Sequence, residues 1–188
     1  MGVLHNKLCF RHFLKNKQYT HLCIAPDDLL FTPYDLEILK TTVIKTEYDV
    51  VSGCCPVDDI APKRPINIIK DNLPSLDRRQ RSYRFIWYED LKEDITQVKF
   101  SGFPLMIISR NVVESIDFVS ESKLIGDDDP NNMCNMDLIF CYKCQHHGIP
   151  IYVNRKAYMK HLRNQGVVDN DEGKRYIQWK SSGMLSFL

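Results

Sequence analysis

Residues 21–55 read His21-Leu22-Cys23-Ile24-Ala25-Pro26-Asp27-Asp28, then Leu29-Leu30-Phe31-Thr32-Pro33-Tyr34-Asp35, and end on Asp49-Val50-Val51-Ser52-Gly53-Cys54-Cys55. The apolar run at 21–25 stops at Pro26-Asp27-Asp28 and predicts a short strand. Thr32 suits an N-cap, Pro33 the first helical position and Asp35 a capping box. A helix therefore starts there, with Leu36, Leu39 and Val43 as its apolar stripe. Residues 49–55, bounded by Gly53 and Pro56, predict a buried strand. Strand, capped helix and buried strand in succession predict an α/β domain, a three-layer α/β/α sandwich on a mixed, largely parallel sheet.

Outward from this stretch the pattern continues. Residues 2–16 carry apolar residues near a helical repeat, with Arg11 outside the stripe. From 56 to 84, Pro56, Pro62, Pro65 and Pro74 alternate with charges, which predicts a long irregular excursion holding one short strand at 66–69. Strands are expected at 84–88, 95–101 and 105–108, the last entered through Gly102-Phe103-Pro104, and a helix at 110–116. A helix at 132–147 would bury Met136, Leu138, Ile139, Cys141 and Tyr142 and stop at Gly148, followed by a strand at 149–153. Residues 162–188 form a polar tail, and no repeat divides the chain, so 1–188 is expected to be one domain.

Of the 188 residues, 44% are apolar and 26% charged, the proportions of a soluble globular protein. Lys plus Arg number 25 against 24 acidic residues, so no overall field favours nucleic acid or an anionic membrane. The longest apolar stretch, about 103–108, is far below the ~20 residues of a membrane span. The N-terminus has no signal-peptide pattern, and Asn6 breaks the myristoylation motif begun by Met1-Gly2. These features lead to the expectation of a cytoplasmic or membrane-peripheral protein with no nucleic-acid partner and no transmembrane segment. The seven cysteines are odd in number and scattered through apolar segments, as buried free thiols are. Cys141-x-x-Cys144 with His146 and His147 is the alternative, a zinc-binding interaction module, though no second cysteine pair stands at ligand spacing.

Two adjacent carboxylates directly after a strand stand where open α/β sheets gather ligands. Mg²⁺ and Mn²⁺ take oxygen ligands, commonly one or two carboxylates together with substrate phosphates. Asp27 and Asp28 fit that chemistry, and equally a polar turn leading into the helix at Thr32. Asp127, Asp128 and Asp129 suit a solvated loop before a helix N-terminus. Arg78, Arg79 and Arg81 suit a solvated loop or a diphosphate contact.

Taken in order, these segments resemble the nucleotide-sugar glycosyltransferases of the GT-A fold. They are Ala25-Pro26-Asp27-Asp28, Asp49 to Gly53, Phe100-Ser101-Gly102-Phe103-Pro104-Leu105 leading to Ser109-Arg110, Asn135-Met136-Asp137-Leu138, and Gly148 to Val153 followed by His161. The likeness is greatest to the inverting family 2 type and its viral and bacterial relatives, and spans about residues 8–161. It implies a metal-dependent transfer of a sugar from a UDP- or GDP-linked donor to a glycan or glycoprotein acceptor. It also implies site roles: Asp27, Asp28 and Arg11 on the donor, Asp28 and His161 on Mn²⁺ or Mg²⁺, and Gly102 and Phe103 beside the acceptor. Asp137, or else Asp129, would be the catalytic base. Measured against that family the chain is short at its front by one strand-helix-strand unit, which leaves a non-catalytic sugar-, nucleotide- or protein-binding remnant as the alternative.

Overall fold

Thr32 does cap a helix. Its hydroxyl accepts from the Asp35 N–H at 3.3 Å, and the Asp35 carboxylate accepts from the Thr32 N–H at 2.7 Å. The computed structural model describes residues 11–26, 29–57, 65–75, 81–116, 136–163 and 166–168. Residues 11–15 are helical. In chain order there follow β1 (His21–Ile24), β2 (Leu29–Leu30), α1 (Pro33–Thr46), β3 (Val50–Cys54), β4 (Ile68–Ile69), β5 (Ile95–Val98), β6 (Phe100–Ser101) and β7 (Met106–Ser109). The chain continues with α2 (Arg110–Ser115), α3 (Met136–His146), β8 (Ile151–Tyr158), β9 (Lys160–Arg163) and β10 (Gly166–Val168).

Five strands form the central sheet in the order β1-β7-β3-β8-β5. The expected largely parallel sheet is corrected here. Only β3 and β8 run parallel, while β1–β7, β3–β7 and β5–β8 are antiparallel. Parallel neighbours need a crossover, usually a helix. Among the described residues between β3 and β7 there is no such helix, and β7 enters the sheet antiparallel to β3. The domain is mixed α/β, and its strands alternate between two apolar clusters. Val50, Cys54, Met106, Ile108, Ile151 and Val153 join Val112, Val113, Leu138 and Phe140, while Val51 and Ile107 join Leu39 and Val43 of α1.

Three smaller expectations also change. The strand expected at 84–88 is extended chain ending in a 3-10 turn at Tyr88–Asp90, because the Asp90 carboxylate accepts from the Trp87 N–H at 2.9 Å and turns the backbone. The strand expected at 95–101 breaks at Lys99, whose N–H turns away to the Ile69 carbonyl at 3.0 Å, so β5 and β6 join different sheets. Leu36 is exposed, and α1 instead buries Asp35, Leu39, Thr42 and Val43. The inward cap at Asp35 rotates the buried face by one position.

Gly53 is required where β3 meets β8. A β-carbon there would lie 2.4 Å from the Ala157 carbonyl oxygen and 2.6 Å from Met159 Cε. The register of the pair shifts at this point. Asn154 fastens α1 to β8 by donating to Thr42 Oγ1 at 2.8 Å, and Thr42 donates to the Ile38 carbonyl at 2.8 Å. Gly148, at φ 68, ends α3 in the left-handed region that favours glycine.

Candidate functional site

The carboxyl end of β3 is where the chemistry collects. Its continuation, Cys55-Pro56, holds two groups through the backbone. Cys55 exchanges hydrogen bonds with Asn67: the Asn67 N–H donates to the Cys55 carbonyl at 2.9 Å, and the Cys55 N–H donates to Asn67 Oδ1 at 3.0 Å. The Pro56 carbonyl pairs with His161 Nδ1 at 2.9 Å. Since a carbonyl only accepts, Nδ1 is the donor in this bond, which makes Nε2 the nitrogen that a metal would take. Metal-binding histidines are commonly held in this way.

His161 lies on β9, directly opposite Leu29 of β2 in an antiparallel pair. Asp28 immediately precedes Leu29 in the sequence. Asp27 and Asp28 themselves lie outside the described residues, as do Asp127, Asp128 and Asp129, Arg78 and Arg79. Among the described residues no group of three or more His, Cys, Asp or Glu side chains is placed to hold a metal ion. The zinc alternative is not supported either: Cys141 and Cys144 are buried in the apolar core while His146 and His147 are exposed. Burial pushes the Cys141 thiol up, and the Cys144 thiol up to about 12.

Asp137 stands in the first turn of α3. It is partly buried, and desolvation pushes its carboxyl up to about 6, against the Leu138 N–H, which donates to Oδ1 at 2.7 Å, and the nearby positive charge of Arg81. Arg81 is itself steered by donating from Nε to the Ser75 carbonyl at 3.0 Å. Gly102 faces this carboxyl. A β-carbon on Gly102 would sit 3.5 Å from Asp137 Oδ2 and 3.3 Å from Asn67 Nδ2.

The Gly102 turn is anchored from three sides. Its N–H donates to the Asn67 carbonyl at 3.0 Å, Ser101 Oγ meets Ser52 Oγ of β3 at 2.9 Å, and the Cys141 thiol donates to the Ser101 carbonyl at 3.7 Å. Phe103 follows at φ 48, a left-handed conformation uncommon for a side chain of its size. Its ring packs 5.3 Å from that of Phe140.

Of the residues singled out in the sequence, Gly102, Phe103 and Asp137 come together, and His161 reaches the same strand end through Pro56. Arg11 lies exposed on the helical segment at 11–15. Asn67 and the carboxylate-facing position of Arg81 were not foreseen. Asn67 sits inside the irregular excursion, where no periodicity marks one polar residue above another. An open groove of about 370 Å³ beside β5 and the end of α3 is lined by Gln97, Lys99, Gln145 and Tyr152 among others, and includes no carboxylate or histidine.

No family model matches the chain. No curated protein matches it. Among solved structures, the chain is similar to A197 from STIV, at 14% identity and a TM-score of 0.59, covering 100% of this chain and 81% of that one. That likeness shows the fold alone. Membership of the family 2-like glycosyltransferases, expected from ordered short motifs, is therefore corrected, and with it the missing front unit measured against that family. Motifs of two to six residues recur wherever strand ends and turns make similar local demands, so their order alone does not carry membership.

Proposed function

We propose that the chain is a metal-dependent glycosyltransferase, moving a sugar with inversion from a nucleoside-diphosphate donor, UDP- or GDP-linked, to a hydroxyl of a glycan or glycoprotein. One observation carries this reading: at the start of α3, against the Gly102 turn that Asn67 ties to the end of β3, the Asp137 carboxyl is raised to about 6. In the reaction the acceptor oxygen attacks the anomeric carbon and its proton passes to Asp137. The bond from that carbon to the diphosphate oxygen breaks, and the electron pair leaves with the nucleoside diphosphate. A carboxyl titrating near 6 is largely ionised at neutral pH and more basic than an ordinary aspartate, as a general base requires.

Gly102 and Phe103 border the acceptor. Asp28 and His161 would hold Mn²⁺ or Mg²⁺, the imidazole through Nε2 rather than the Nδ1 that meets the Pro56 carbonyl, with Asp27 on the donor. When bound, such an ion offsets the negative charge that develops on the departing diphosphate. Arg11 would contact the donor, and Asp129 is the second candidate for the base.

The test is thermal unfolding with Mn²⁺ and UDP or GDP. A ligand at a hundred times its Kd adds about 2.7 kcal/mol of stability. The expected result is a raised Tm that Asp28→Ala abolishes. No shift with either nucleotide overturns the reading. A shift without turnover of any UDP- or GDP-linked sugar assigns nucleotide binding without transfer.

A further inference from the structure

We propose that the open groove between the end of β5 and the last turns of α3 binds an acidic saccharide unit, a sugar ring carrying one carboxylate. The site is additional to the one at Asp137 and stands whether or not the chain transfers sugar.

The groove has a volume of about 370 Å³, within the range of about 300–1,000 Å³ usual for small-molecule sites. Its floor is apolar, because Val98 of β5, Ile151 of β8 and Cys141 of α3 line it and are each at most 3% exposed. Its rim is polar. Gln97 and Gln145 are exposed on opposite elements, and Lys99, half-buried, stands at the break between β5 and β6. One wall is fixed by the end of α3, where Gly148 turns the chain at φ 68. The Gly148 N–H donates to the Gln145 carbonyl at 3.1 Å and the Ile149 N–H to the Cys144 carbonyl at 2.8 Å.

Those two bonds occupy carbonyls beside the groove, so the polar groups it offers are chiefly side chains. Among the described residues no hydrogen bond or ion pair engages the side chain of Gln97, Lys99 or Gln145. Each carboxamide both donates and accepts, as a sugar hydroxyl does. The ammonium of Lys99 only donates, and its strongest partner is an anion. The lining has no carboxylate to supply one. A sugar ring lays its C–H face on the apolar floor, its hydroxyls reach the two amides, and one carboxylate meets Lys99. A phosphate monoester, at about −1.5 to −2, exceeds the single ammonium and stands beside the negative end of α3. A neutral sugar leaves Lys99 unanswered.

The test is an amide NMR titration of the isotope-labelled full chain with three probes: methyl glucuronide, methyl glucoside and N-acetylglycine. The second lacks the charge, and the third has the carboxylate and a peptide group without the hydroxyls. Methyl glucuronide is expected to shift the backbone signals of Gln97, Val98, Lys99 and Gln145 and to bind at least about fivefold more tightly than either other probe. Lys99→Gln should bring the glucuronide down to the level of the glucoside, and Gln145→Ala should weaken both sugars alike. The rest of each variant's spectrum shows that the fold is kept. No shift at those four residues, or glucuronide binding undiminished in Lys99→Gln, overturns the site. Equal binding of the glucoside removes the acidic requirement, and equal binding of N-acetylglycine removes the saccharide; either result on the wild type overturns the proposal without any variant.

Discussion

Asp137 couples the candidate chemistry to stability. Its folded carboxyl titrates near 6, above the ordinary value of about 3.9, so the fold prefers the neutral acid. That preference contributes fully below about pH 4 and is lost as pH rises through 6; above 6 the protein carries the cost of a desolvated carboxylate. Asp137→Asn keeps the oxygen that accepts from Leu138 and removes the charge. It is expected to raise stability at pH 7.5 by about 2 kcal/mol, on the order of 5 °C in Tm, and to match the wild type at pH 4, as calorimetry at the two pH values would show. The same variant should lose transfer, and the wild-type rate should fall as pH drops below 6, because the base must be ionised. Asp137 was legible in the sequence as a carboxylate at the start of an apolar helix. Asn67 was not, since an amide with one idle nitrogen is recognised only once its other bonds are known.

At the scale of elements, legibility follows the range of the interactions. The start of α1 was readable because Thr32, Pro33 and Asp35 act on one another within a single turn. Thr32→Val should cost about 1 kcal/mol, seen as a lower midpoint in urea, since the first-turn N–H loses its acceptor and the buried Asp35 carboxylate loses the hydroxyl that donates to it at 2.7 Å. The direction of β7 and the break at Lys99 were not readable. They depend on carbonyls such as that of Ile69, tens of residues away in the chain. Gly53 lies between these cases: a glycine in a buried strand signals close approach, but not what approaches. Gly53→Ala should lower Tm by about 5–10 °C in circular-dichroism melts, because its methyl meets backbone at Ala157 rather than a side chain that can swing away. A wild-type Tm would contradict the β3–β8 contact.

Across the whole molecule the composition predicted an ordinary core and buried thiols, and four of the five described cysteines agree. Cys54, Cys55, Cys141 and Cys144 are buried, and Cys23 on the edge strand β1 is exposed. Alkylation mapped by mass spectrometry should therefore label Cys23 in native protein and reach those four only with global unfolding, at the rate at which the sheet opens. Early labelling of Cys141 or Cys144 would show that α3 detaches on its own. No helix among the described residues is long and apolar enough to cross a membrane.

The parallel pairing of β3 with β8 has a consequence on the ribosome. Val51 is opposite Tyr152, and Leu29 is opposite His161, so both pairings join early chain to late chain. At translation rates of about 5–20 residues per second, the intervening hundred or so residues take roughly 5–20 s to appear. Throughout that interval β3, every residue of which is buried in the finished fold, has no β8 to cover its edge. The nascent chain must therefore wait, shielded or at risk of aggregation, until its last strands emerge and the histidine corner closes together with the sheet.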